Sequence, residues 1–277
     1  MFLWKGNLKM RRLVGILIIA LVSGHSWASS KKNNIQTSPE TVGHSQEITK
    51  KLRAELKSIY PDLQIDSITE SPLKGIYQAK IGAQVLYMSE GGQYIIQGDL
   101  FDLKRDKKEQ NITEELRRSV RADFLKQIKS NDMIVFGPKD SPKGVITVLT
   151  DLTCTYCQKL HSEIDELTKS GVQVRYMAFP RSAQGSAAYD KAVTVWCSPD
   201  QKDAYSKVIK GEEIPNQTCI NSIASQIELG QRFGVRGTPT IVFQDGSIMP
   251  GYLPADQLAK EAIEHTAGNS SKAKSSS

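Results

Sequence analysis

Cysteine is scarce in this sequence: there are four among 277 residues, and none before position 154. The chain is long enough to bury a core of its own, so a scaffold held together by disulfides alone is excluded. The same length points to one or two domains. Long apolar runs are missing after residue 28, which excludes a polytopic membrane protein. With 39% hydrophobic and 24% charged residues, the composition is not that of a wholly disordered chain. A strong excess of one charge is also missing. The formal net charge is +6, from 36 Lys and Arg against 30 Asp and Glu. Four of those cations (Lys5, Lys9, Arg11 and Arg12) lie in the first 28 residues, which hold no acid, so the rest carries only +2. A nucleic-acid partner is therefore not expected despite a sequence pI near 9.0. There is no internal repeat.

The first 28 residues read as a secretory signal. A basic stretch ends at Arg12, an apolar run from Leu13 to Val22 follows, and Ser26-Trp27-Ala28 offers small residues for cleavage after Ala28. The apolar run is about half the roughly 20 residues that a spanning helix needs. An uncleaved N-terminal anchor is the other reading of this segment. No cysteine follows the apolar run, so a lipoprotein anchor is excluded. The expected location is the periplasm, an oxidising compartment in which disulfides persist.

Residues 29–44 are polar and read as a flexible segment. From Ser45 the pattern turns helical, with Ile48, Leu52, Leu56 and Ile59 on one stripe before Pro61 stops it. Short strand-like pieces follow. Val85–Met88 and Tyr94–Gln97 flank Ser89-Glu90-Gly91-Gly92-Gln93 and predict a β-hairpin whose glycines supply the turn. Residues 45–103 thus form a small α+β module with open strand edges, one that needs a partner. Gly98, just past the hairpin, permits close backbone approach and is placed at a dimer interface. Residues 104–131 are a charged linker and a linker helix. Asn111 is its N-cap, with Glu114 three residues on, and Leu116, Val120, Phe124 and Ile128 form its stripe.

The second domain, 132–267, opens with the buried-strand run Val145–Leu149. This leads into Cys154-Thr155-Tyr156-Cys157, then a helical pattern to Gly171 and a second strand, Val172–Met177. Residues 186–230 are mostly helical. Gly237-Thr238-Pro239-Thr240, a strand Ile241–Phe243, an Asp245-Gly246 turn and a last helix over 255–264 complete the domain. Residues 268–277 read as a disordered tail.

The C-x-x-C carries the chemistry. At a strand-to-helix junction the first cysteine sits at the helix N-terminus, where the dipole and free N–H groups favour a thiolate. The second lies one turn further, within reach to resolve a mixed disulfide. Cys154 is the expected nucleophile and Cys157 the expected resolver. A zinc site needs a second close pair, which Cys197 and Cys219 do not supply, and a c-type haem needs His where position 158 has Gln. A purely structural C-x-x-C disulfide is the remaining alternative. His161, on the same helix, reads as a surface histidine, with tuning of the thiols as the other reading. Tyr156 either shields the thiolate or packs. Trp196 reads as core. An ordinary trans turn is the default for Thr238-Pro239 on sequence alone.

Six segments carry a resemblance: VLYMSEGGQYIIQGDLFD (85–102), VITVLTDLTCTYCQKLH (145–161), VQVRYMAFPR (172–181), VWCSPD (195–200), LGQRFGVRGTPT (229–240) and PGY (250–252). Through them the chain resembles the bacterial periplasmic thiol:disulfide isomerases of the DsbC/DsbG family, the DsbC branch more than the DsbG branch. The resemblance covers nearly all of the chain after the signal. It implies an α+β N-terminal dimerisation domain joined by a linker helix to an α/β thioredoxin-fold domain with a helical insertion. It implies a V-shaped homodimer whose cleft binds misfolded exported proteins, kept reduced by an inner-membrane reductase of the DsbD type. It makes Cys154 and Cys157 the redox pair, Thr238-Pro239 the cis-proline loop facing them, and Cys197 and Cys219 a structural disulfide. No metal or organic cofactor is implied. One departure is Thr155, where the DsbC branch usually has Gly and the DsbG branch Pro; this dipeptide sets redox poise. The function expected is disulfide isomerase and reductase, with a dithiol oxidase or a holdase chaperone as alternatives.

Overall fold

The computed structural model describes residues 39–104 and 109–275. The expected signal (1–28), the first ten residues of the expected flexible segment and the centre of the charged linker lie outside the described residues. The N-terminal module starts with α1 (Pro39–Ile59). It continues through β1 (Ser67–Glu70), β2 (Ile76–Ile81), β3 (Gln84–Ser89) and β4 (Ile95–Ile96). These strands form an antiparallel sheet in chain order, and the β3–β4 hairpin pairs Tyr87 with Ile96 and Met88 with Ile95. Leu52 and Leu56 of α1 are fully buried against Ile65, Ile68, Tyr77, Ala79 and Met88. The helix begins earlier than expected, since 39–44 belong to it rather than to a flexible segment. Pro39 is its first residue, where a missing N–H leaves no hydrogen bond unmade.

A two-stranded ribbon, β5 (Phe101–Asp102) with β6 (Gln110–Asn111), feeds α2 (Ile112–Gln127). The Asn111 side chain accepts from the Glu114 backbone N–H at 2.8 Å, the N-cap that the sequence implied. The Glu114 carboxylate does not complete a capping box; it pairs with Arg121 two turns on.

The C-terminal module contains β7 (Ile134–Phe136), β8 (Gly144–Thr150), α3 (Thr155–Ser162), α4 (Ile164–Lys169) and β9 (Val172–Ala178). Then come α5 (Ala187–Trp196), α6 (Gln201–Ile209), α7 (Ile223–Arg232), β10 (Thr240–Phe243), β11 (Ile248–Pro250) and α8 (Ala255–Ser275). The sheet order is β11-β10-β8-β9-β7, with β8 and β9 parallel and the other pairs antiparallel. Every residue of β8 is buried, as expected of a central strand covered on both faces. The helices α5, α6 and α7 are inserted between β9 and β10. Helix α8 runs on to Ser275, so the expected disordered tail from Gly268 is corrected as far as that residue. A single glycine costs a helix only about 1 kcal/mol, and alanine and lysine follow it here.

Helix α2 is fastened to the C-terminal module by the β10–β11 turn. Arg118 pairs with Asp245, and the Arg121 Nε donates to the Gly246 carbonyl at 2.6 Å in a buried site. A Cβ at Gly246 would collide with the Arg118 carbonyl, so only glycine lets helix and turn approach this closely. The described residues from Glu40 onward form one compact unit.

Candidate active site

Strand β8 ends at Thr150, and Asp151 builds the junction that follows. Its Oδ1 accepts from the Thr153 N–H at 2.8 Å and the Thr153 hydroxyl at 2.6 Å. Its Oδ2 accepts from Arg181 N at 3.0 Å and Nε at 3.1 Å. Burial opposes the charge on Asp151, but these donors hold its carboxyl below the usual carboxylate range. The fixed turn delivers Cys154 to the N-cap of α3, where its backbone N–H donates to the Asp151 carbonyl.

Cys154 and Cys157 are both free thiols, 4% and 1% exposed. The Thr238–Pro239 bond is cis, and the Cys154 Sγ–H donates to the Thr238 carbonyl at 3.2 Å. The loop and the C-x-x-C, 84 residues apart in sequence, are therefore one site. Burial alone would raise the Cys154 pKa. The N–H groups of Cys157 and Tyr156, and the side chains of Thr238 and Cys157, outweigh it and hold the thiol below its ordinary value. The buried Thr238 hydroxyl is without a partner in the thiol form, and a Cys154 thiolate supplies the acceptor it lacks. For Cys157 the balance is reversed. Burial pushes its thiol up to about 12, against weaker help from Asp151 and the Thr150 hydroxyl. Cys154 is thus the more readily ionised of the pair, and Cys157 stays protonated at neutral pH.

Tyr156 is 61% exposed, and its ring stacks on Tyr252, so it packs beside the site rather than roofing the sulfur. Tyr252 is held in turn by Glu163, and Lys159 lies over its ring. Trp196 is core, as expected. His161 corrects the sequence reading: it is 3% exposed, not a surface residue. Its Nδ1 lies 3.2 Å from the Tyr176 hydroxyl and its Nε2 3.1 Å from the Ser206 hydroxyl. Phe136, Tyr176 and Tyr205 enclose the ring. Burial drives its pKa down to about 4, with Lys210 adding to the effect and Asp165 opposing it. An unfolded histidine binds a proton near its ordinary value of about 6.5, so between pH 6.5 and 4 the unfolded chain takes up more protons. Stability is fully present above that window and is lost as pH falls through it. The wild type is expected to lose about 3 kcal/mol more than His161→Gln over this range, read by denaturant unfolding. Parallel pH profiles for the two proteins would show that another group is responsible.

Cys197 and Cys219 form a disulfide across a separation of 22 residues, tying the loop after α6 to the end of α5. Gly98 follows β4 and touches neither thiol by any hydrogen bond among the described residues; it lines the far side of the groove that also reaches Thr238 and Pro239. Two features were not read from the sequence. The Asp151–Arg181 pair had as its signal an acid three residues before the C-x-x-C. The Asp245-Gly246 anchor for α2 carries only the signal of an ordinary turn.

A thioredoxin-like sheet bearing a free C-x-x-C at a helix N-terminus, against a cis-proline loop, defines a thiol:disulfide oxidoreductase. Residues 130–265 match the family described as thioredoxin-like domain, and 43–114 match the disulfide bond isomerase protein N-terminal domain. The thiol:disulfide interchange protein DsbC of Dickeya dadantii is 36% identical over 74% of this chain and 83% of its own length. The DsbC proteins of Escherichia coli K12 (34%; 73% of this chain, 83% of its own) and Haemophilus influenzae (36%; 72% and 84%) are similarly related. The chain belongs to the DsbC family of thiol:disulfide interchange proteins.

Proposed function

We propose that this protein works in the periplasm as a homodimeric disulfide isomerase, with Cys154 as nucleophile and Cys157 as resolver. The observation that carries this is the asymmetry of the pair: Cys154 is stabilised as a thiolate at a helix N-cap, while Cys157 is buried and held protonated. The Cys154 thiolate attacks one sulfur of a wrong substrate disulfide. A mixed disulfide forms and the other substrate sulfur leaves as a thiolate. If a second substrate thiolate then attacks the mixed disulfide, the substrate is rearranged with no net change in electrons. If Cys157 instead gives up its proton and attacks the Cys154 sulfur, the mixed disulfide breaks as the intramolecular one forms, the substrate sulfur leaves as a thiolate that takes up a proton, the substrate is reduced by two electrons, and a DsbD-type reductase restores the dithiol.

Recovery of activity from scrambled ribonuclease tests the reading, with misfolded exported proteins as the natural substrate class. An isomerase needs Cys154 for this; a holdase suppresses aggregation without it. The redox state of the pair in cells separates isomerase from oxidase, since an isomerase is kept mostly reduced.

The Cys197–Cys219 bridge is proposed to be structural. Closing a loop of this size is worth roughly 3 kcal/mol in chain entropy. Limited dithiothreitol followed by alkylation and mass spectrometry is expected to label Cys154 and Cys157 fully while Cys197 and Cys219 stay joined. Labelling of all four at one reductant concentration would contradict a structural role.

A further inference from the structure

A groove of about 820 Å³ opens beside the thiol, running from Thr238-Pro239-Thr240 towards Gln97-Gly98 and the first turns of α2. Its charged lining is Arg117, Arg121, Arg236 and a single acid, Glu114. Most of this charge is already matched. Arg117 donates to Asp99 at 2.6 Å and lies 3.6 Å from Glu114. Arg121 is buried, pairs with Glu114 and donates to the Gly246 carbonyl. Arg236 is different. It is exposed, has no hydrogen bond or ion pair among the described residues, and stands two residues before the carbonyl that accepts from Cys154.

We propose that Arg236 is a specificity residue that selects substrate segments carrying an acidic side chain within two or three residues of the cysteine under attack. The inference rests on the redox reading above and names the substrate class for that same site. A substrate sulfur must come within bonding distance of Cys154, so the chain on one side of it runs along the Thr238 loop and into the groove. The groove offers that chain neutral amides from Gln84, Gln97 and Gln231 and one unmatched guanidinium. Guanidinium binds carboxylate in a planar, two-point fashion and has nothing to offer a lysine. Glu114 cannot compensate, because both its neighbours on α2 already hold it. A misfolded acidic segment is therefore retained beside the thiol, and a basic one is repelled.

The test uses the full mature protein and two fluorogenic disulfide peptides that differ only in Glu or Lys two residues from the cysteine. The readout is the ratio of kcat/KM between them, taken within each variant so that any loss of folded protein cancels. The wild type is expected to favour the Glu peptide about five-fold at low ionic strength, with the ratio approaching one at high salt as an exposed pair is screened. Arg236→Gln should bring the ratio near one, and Arg236→Glu should invert it. Equal rates on both peptides in the wild type, or a preference that survives Arg236→Glu, would overturn the proposal. A neutral disulfide, di(2-hydroxyethyl) disulfide, is run alongside. If the wild type turns over neither peptide nor this compound, the redox reading fails and this inference falls with it.

Discussion

Cys154→Ala is expected to reduce isomerase turnover to the uncatalysed background, whereas Cys157→Ala is expected to accumulate covalent complexes with substrates, visible as ladders on non-reducing gels. The reason lies in what each sulfur touches. Cys154 receives N–H groups from the first turn of α3 and is the more exposed of the two. It is the sulfur that ionises more readily and that a substrate meets first. Cys157 lies beneath it with burial holding its proton up to about 12, and is suited to a single intramolecular attack. At pH 8 Cys157 stays almost wholly protonated while the Cys154 thiol is held below its ordinary value, so iodoacetamide should modify Cys154 almost exclusively. The Cys154 alkylation profile should have its midpoint below about 8.5, the value of a free thiol. If Cys154→Ala retained turnover, or if Cys157 reacted first, the roles would have to be exchanged.

The parts of this site legible in the sequence are those set by local rules. The apolar run Val145–Leu149, with a C-x-x-C right after it, leaves little choice but a buried strand ending at a helix N-cap. Asn111 announces its cap because a short amide side chain can reach the N–H three residues on. The hairpin before Gly98 announces itself by glycines between two β-rich runs. What remained hidden depends on partners far away in the chain. Strands β7 and β11 have three residues each, too few to show a period, and exist because β9 and β10 offer them an edge. His161 occupies a polar helix that gives no hint of burial; Phe136 and Tyr205 close over it from other elements. The Asp245-Gly246 turn looked like any other because its purpose, receiving Arg118 and Arg121, is written in α2. Geometry across the chain was legible only through resemblance, as with the cis bond at Thr238–Pro239.

Replacement of Gly98 by Arg is expected to give a monomer that loses at least about ten-fold in isomerase activity while keeping reductase activity toward small disulfides. The N-terminal module has a surface that a single chain leaves uncovered. Tyr94, Ile95, Ile96, Phe101 and Leu103 lie within ten residues and are 39–72% exposed. Among the described residues β4 is the last strand of its sheet and pairs only with β3, so its outer edge has no strand partner there. An apolar patch beside an open edge is what a two-fold contact between identical strands covers. Gly98 adjoins this edge, and a Cβ built there meets nothing within 4 Å in its own chain. A side chain at this position meets no opposition from the described residues of its own fold, so loss of the dimer in Gly98→Arg would report on the proposed contact with a second copy. Its φ of +158° makes the same backbone demand on any substituent, so Gly98→Ala is the control and should remain dimeric. Light scattering after size-exclusion chromatography reads the mass. Two thiols facing one cleft can hold a misfolded chain through successive attacks, and a lone module cannot; isomerisation should fall with the dimer while simple reduction persists. A wild-type protein of monomer mass at micromolar concentration, or a Gly98→Arg variant that stays dimeric, would remove this explanation and leave a monomeric oxidoreductase.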